Sequence, residues 1–163
     1  MKKQAKGCFT FLLKIAVFLF VLSIAFTAFF RVILVDGDSM LPTFQNGDWI
    51  LILKTEKIEN QDIILTNTDN EFNLRIIKRV IAFEGDTVDI DFENSAVYVN
   101  SQKIEENYIT DLPFVKGDVE FPVTVPKDCV FVLGDNRQNS VDSRYSSIGF
   151  VETDDIIGKV IWP

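Results

Sequence analysis

The chain contains no histidine, and that absence limits the chemistry it can carry. Without imidazole, Ser-His-Asp and Cys-His hydrolase arrangements are excluded, and so is any zinc site built on histidine. Two cysteines are too few for a disulfide framework or a Cys₄ metal centre. Hydrolysis would have to run on Ser, Thr, Lys, Asp, Glu or Tyr. Three stretches offer such groups. Gly37-Asp38-Ser39-Met40-Leu41-Pro42-Thr43 places a serine on irregular backbone, where its hydroxyl can be presented, although this residue mix by itself usually marks only a turn. Ile76-Ile77-Lys78-Arg79-Val80-Ile81 sets a lysine inside a branched apolar run. Alternation puts Lys78 on one face with Ile76 and Val80, and Ile77 and Arg79 on the other. Such a lysine is commonly a snorkelling or edge-strand cation. Desolvated instead, it would lose several units from a pKa of about 10.4 and could take a serine's proton. The third stretch, Gly134 to Arg144, crowds Asp135, Arg137, Ser140, Asp142, Ser143 and Arg144 behind an apolar run. It reads either as a solvated loop or as a network of bidentate Asp–Arg pairs.

The elements that would position these groups follow from patterning. Phe9 to Phe30 is apolar apart from Thr10, Lys14, Ser23 and Thr27. As a helix it would be roughly 33 Å long, enough to cross a ~30 Å hydrocarbon layer. The run is too long for a cleavable signal peptide, and Phe29-Phe30-Arg31 stands where small residues would be needed. Lysines 2, 3 and 6 precede it, so the positive-inside rule puts residues 1–8 in the cytoplasm, 9–30 in the membrane and 31–163 outside. Of the 16 basic residues, four precede Arg31, leaving 12 against all 24 acidic ones, a net of −12. Such a domain repels nucleic acid.

After the anchor the texture becomes short β-type runs: Trp49–Leu53, Asp62–Thr66, Phe72–Phe83, Thr87–Phe92, Ala96–Val99, Gln102–Ile104, Cys129–Leu133 and Ile156–Trp162. Glu93-Asn94-Ser95 and Asn100-Ser101 read as hairpin turns, and the Pro- and Gly-broken stretch 105–126 as an extended loop. The predicted fold is mainly β: an N-terminal transmembrane helix followed by a mostly antiparallel sheet or open barrel. Cys8 and Cys129 fall on opposite sides of the membrane and cannot pair; Cys129, among Val130, Phe131 and Val132, reads as a buried core thiol.

Together, in this order and behind an anchor, the motifs at 37–43, 78–81 with Gly85-Asp86, and 134–149 resemble the type I signal peptidases, a Ser/Lys protease family, and the short chain is most similar to its compact Gram-positive members. The resemblance implies Ser39 as nucleophile, Lys78 as general base and Ser140 as the group orienting the lysine amine. Arg79, Asp135 and Arg144 would form a salt-bridge network with Asp142 nearby. Ile33, Val35, Met40 and Ile77 would line shallow pockets for small side chains on either side of one intervening residue. The implied substrates are the signal peptides of exported preproteins, and the chemistry needs no metal or cofactor. Two departures stand out. Ala82-Phe83-Glu84-Gly85-Asp86 replaces the family's Gly-x-Pro-Gly-Asp, and Gly37 stands where some members carry an oxyanion-hole serine, leaving that role to the Ser39 backbone N–H.

The position of Ser39 agrees with this without any family. Even a fully extended chain keeps it within ~30 Å of the end of the anchor. Other readings are a dedicated processing enzyme for a narrow set of surface or pilus proteins and a non-catalytic assembly factor. A Ser/Lys self-cleaving repressor would carry a DNA-binding module in place of the anchor.

Overall fold

The structure, a computed structural model, describes residues 2–55, 57–67, 75–110 and 113–162, with residues 2–10 described as backbone only. A helix, α1 (Lys2–Phe29), is followed by eleven strands: β1 (Phe30–Leu34), β2 (Trp49–Leu53), β3 (Ile63–Asn67), β4 (Arg75–Phe83), β5 (Thr87–Asp91), β6 (Ala96–Val99), β7 (Gln102–Lys103), β8 (Val123–Thr124), β9 (Cys129–Leu133), β10 (Val151–Glu152) and β11 (Ile156–Trp162). They form a seven-stranded sheet in the order β1-β2-β11-β3-β4-β9-β10 and a four-stranded sheet in the order β7-β6-β5-β8. Every pairing is antiparallel. The larger sheet curls into a half-barrel, in agreement with the mainly β expectation.

The segment Phe11–Phe29 has a mean hydropathy of 2.4 and is long and apolar enough to cross a membrane. Its end differs from the expectation. The helix stops at Phe29, and Phe30 already belongs to β1, whose residues merge with the anchor in hydropathy. The stop is set from elsewhere in the chain. The backbone N–H of Lys54 donates to Phe29 O at 2.8 Å and its ammonium donates to Thr27 O at 2.7 Å, so the lysine satisfies carbonyls that the helix leaves open.

The β5–β6 hairpin forms because Asp91 accepts from the N–H groups of Glu93 and Asn94, which turns the chain before Ser95. Asn100 and Ser101 both take positive φ, as a two-residue hairpin loop requires. The stretch 105–126 is less irregular than its prolines suggest, since Val123–Thr124 pairs with β5. The short β10 was also not apparent in the pattern, and Phe72–Leu74 of the expected third run lie outside the described residues.

The two sheets pack through one core. Val88, Ile90 and Val97 from the small sheet meet Ile81, Phe131 and Leu133 from the large one, with Phe114 and Val125 from the connecting segment. Cys129 packs against this core but is only half-buried, because it stands at the strand's entrance. A second core lies beneath the Ser39 turn: Val35, Met40, Phe44, Ile50, Ile52, Ile63 and Leu65. Strand β4 runs between apolar layers, so Lys78 and Arg79 are both buried although alternation sends them to opposite faces.

Phe131 is fully buried and meets the rings of Phe121 and Phe150 edge-on, joining three segments. Phe131→Ala should cost roughly 3–5 kcal/mol of stability, read as a lowered unfolding midpoint in detergent.

Candidate active site

Ser39 sits on the turn between β1 and β2. The base of that turn is closed by Val35 N–H to Asp48 O (2.8 Å) and Gly47 N–H to Val35 O (2.9 Å). Gly37 takes φ +93°, a conformation that disfavours a side chain, and its N–H is committed to Asn46 Oδ1 at 3.1 Å. Met40 and Phe44 reach down into the second core and hold the turn from below. From the other side, Asn136 donates its backbone N–H to Ser39 O and its amide to Asp38 O, each at 3.0 Å. The Ser39 N–H has no partner among the described residues.

Lys78 Nζ lies 2.7 Å from Ser39 Oγ. The lysine is 3% exposed. Burial is the main influence on its amine and lowers its pKa to about 8; the neighbouring Asp142 and Asp135 act to raise it and Arg144 to lower it. A neutral amine at that distance can accept the hydroxyl proton.

The charged groups around this pair are resolved into separate ion pairs. Arg79 donates Nε and Nη2 to the two oxygens of Asp135 at 2.8 and 2.6 Å. Arg144 makes the same fork with Asp142, at 2.8 and 2.9 Å. The four residues expected in the network, Arg79, Asp135, Arg144 and Asp142, thus form two pairs. Arg144 faces Asp142, two residues upstream, while Asp135 is taken by Arg79. Each pair ties down backbone as well. Asp135 also accepts from the Thr43 hydroxyl, Asp142 accepts from Gly134 N–H at 2.9 Å, and Arg144 donates to Val115 O and Arg137 O at 2.8 and 2.7 Å.

Ser140 also differs from the expectation. Its hydroxyl is buried beside Ser39 but has no hydrogen-bond partner among the described residues, so the bond to the Lys78 amine is not formed. Gly134 explains how the three segments come so close. A Cβ there would collide with the Ser140 side chain and Ser39 O, so only glycine lets the exit from β9 press against the serine turn.

A cavity of about 280 Å³ opens beside Ser39 and Lys78. All four expected pocket residues, Ile33, Val35, Met40 and Ile77, line it, joined by Leu65, Ile76, Asp36 and Arg75. Its two walls are sheet edges. The outer edge of β1 is unpaired, and β9 pairs with β4 only from Arg79 onward, leaving the Arg75–Lys78 edge open among the described residues.

Sequence reasoning gave Arg137 no role of its own and passed over Glu106 and Tyr108. Arg137 and Glu106 form a buried ion pair at 2.6 Å, and the Tyr108 ring lies against the Arg79 guanidinium with 3.8 Å between Cζ and the ring centroid. Arg137 stood in a recognisable motif, but nothing in the pattern of 105–126 marked Glu106 or Tyr108.

The chain is similar to known proteins. A family model described as signal peptidase, peptidase S26, matches residues 8–163. Signal peptidase I of Bacillus caldolyticus is 35% identical over 147 residues, covering 79% of this chain and 78% of that protein. Signal peptidase I P of Bacillus subtilis subsp. natto is 30% identical over 168 residues, covering 96% and 89%. The crystal structure of a signal peptidase I from Enterococcus faecalis superposes with a TM-score of 0.51 at 30% identity, covering 63% of this chain and 96% of that one. With the match running from the anchor to the last strand, the chain belongs to the signal peptidase family, peptidase S26.

Proposed function

We propose that this chain is a membrane-anchored endopeptidase that removes signal peptides from exported preproteins, with Ser39 as nucleophile and Lys78 as general base. The observation that carries the reading is the 2.7 Å contact between Ser39 Oγ and an amine lowered to about 8 by burial. Neutral Lys78 takes the hydroxyl proton as Oγ attacks the scissile carbonyl carbon. The partnerless Ser39 N–H receives the oxyanion; Gly37 has no hydroxyl and its N–H is already used. Lys78 then delivers the proton to the leaving amine as the C–N bond breaks. A water deprotonated by Lys78 hydrolyses the Ser39 ester.

The cavity supports a substrate of small-x-small type. An extended chain laid between the open edges of β1 and β4 can pair its backbone with both, as strand addition does. Its alternate side chains then point into a space narrowed by Ile33, Val35, Met40 and Ile77, which favours alanine-sized groups. Two features support work at the membrane surface. β1 starts where α1 ends, and Val32, Leu34, Trp49 and Trp162 are exposed on strands β1, β2 and β11. In this reading residues 1–8 are cytoplasmic, and the domain from residue 31 faces outward.

Cleavage of a model preprotein in detergent should fall about 10⁴- to 10⁶-fold in both Ser39→Ala and Lys78→Ala, with the far-ultraviolet spectrum unchanged; residual processing above 1% by Lys78→Ala would remove the lysine from its role. Because only the neutral amine is active, kcat/KM should rise about tenfold per pH unit below about 8 and level off above it. The same lysine links stability to pH. Its folded pKa, about 8, lies below the 10.5 of the free side chain, so the unfolded chain holds the extra proton and stability climbs as pH rises between those values. Lys78→Met should abolish that climb and be more stable at pH 7 by roughly 2–4 kcal/mol, measured by denaturant titration.

A further inference from the structure

Tyr108 belongs to neither the serine turn nor the cavity wall, and the mechanism above makes no use of it. It lies in the segment that leaves the small sheet after β7 and crosses to the large one. That segment is fastened at several points. Gln61 donates its side-chain amide to Glu105 O at 3.3 Å, Glu106 pairs with Arg137 at 2.6 Å with both side chains nearly inaccessible, and Ile109 packs against the inter-sheet core. The Tyr108 hydroxyl donates to Glu106 Oε1 at 3.1 Å, and the ring lies over the Arg79 guanidinium.

Arg79 makes four hydrogen bonds along its edge. It donates to Asp135 twice, to Gln61 O at 2.8 Å and weakly to the Thr43 hydroxyl at 3.5 Å. One of its faces is covered by the Tyr108 ring, 3.8 Å from Cζ to centroid. Such stacking both attracts the cation and keeps water from the ion pair. Arg79 is the chain neighbour of Lys78, and its partner Asp135 holds Thr43 and precedes Asn136, the residue that grips Ser39 O. The Arg79–Asp135 pair therefore fixes β4, the serine turn and the β9 exit relative to one another.

We infer that Tyr108 is a positioning residue for the proteolytic reaction: its ring clamps Arg79 onto Asp135 and so holds the Lys78 amine in reach of the Ser39 hydroxyl. The inference rests on the proposed roles of Ser39 and Lys78. It concerns geometry in the acting pair and no contact with substrate, so binding should be spared while turnover suffers. It also carries an electrostatic signature. The charged groups facing Lys78 are Asp142 and Arg144, paired with each other, and Asp135, paired with Arg79; those facing Tyr108 are Glu106, Arg137 and Arg79. A loosened Arg79 leaves the Asp135 charge less neutralised, which favours the protonated form of Lys78.

The test compares Tyr108→Leu, which keeps apolar bulk but has no π face, with Tyr108→Phe, which keeps the ring, in preprotein cleavage by the full-length protein in detergent. Tyr108→Leu should lower kcat about 10- to 100-fold, leave KM within twofold, and move the rise of kcat with pH to higher pH. Tyr108→Phe should match wild type in all three. Wild-type kcat in Tyr108→Leu, an effect confined to KM, or an equal fall in Tyr108→Phe would each overturn the inference. Should Tyr108→Leu fail to fold, Tyr108→Met takes its place with the same three readouts. Failure of the underlying reading has a separate sign, namely cleavage that survives in both Ser39→Ala and Lys78→Ala.

Discussion

A lysine amine can lose its proton near pH 8 only if it is both dry and shielded from unpaired carboxylates, and this constraint organises the domain. Burial alone pushes Lys78 down, but Asp135 and Asp142 stand close enough to push it back up. Both carboxylates are fully buried, and each is held in a bidentate fork by an arginine, Arg79 and Arg144. In a domain with a net charge of −12 after the anchor, these two arginines keep the field around the amine from restoring its proton. Buried ion pairs contribute little to stability beyond their own desolvation cost. Here they set the electrostatics of the neighbouring lysine and tie loops to strands, which a hydrophobic replacement could not do.

The geometry follows from the same pairs. Arg79 comes from β4, Asp135 from the exit of β9, and Thr43 from the serine turn, so a single carboxylate joins three segments distant in sequence. Met40 and Phe44 supply the apolar anchor beneath, and Gly134 allows the approach above. Curling of the large sheet leaves the edges of β1 and of the start of β4 unpaired among the described residues, on either side of the cavity. The cleft is thus a consequence of sheet curvature, and the loops only arm it.

Much of this was legible in the residues. The absence of histidine left hydrolysis to Ser, Thr, Lys, Asp, Glu or Tyr, the resemblance of the motifs to the type I signal peptidases singled out Ser39 and Lys78, and those two side chains are in contact in the fold. The strands were readable because branched residues alternate along them, as in Thr87–Asp91. What escaped notice depends on long-range register. Which arginine meets which aspartate is decided by how loops fold back, so the motif named the four residues of the network without pairing them. The end of α1 is set by Lys54, from the far end of β2, and not by any local break in hydropathy. Glu106 and Tyr108 sit in a segment without periodicity, where only the folded chain reveals what they cover. Ser140 reaches the right neighbourhood yet makes no bond there, a distinction of ångströms that a motif does not encode.

The central claim is that the fold lowers the Lys78 amine to a pKa of about 8, so that it can give up its proton well below the range of free lysines, and this can be measured without substrate. The protein would be labelled at lysine Cε with ¹³C and titrated by NMR in detergent micelles, with Lys78→Met identifying the resonance. A midpoint near 8, well below the remaining lysines, is the result this account requires. A Lys78 resonance that titrates with the surface lysines above pH 10 would contradict it and leave Ser39 without a base.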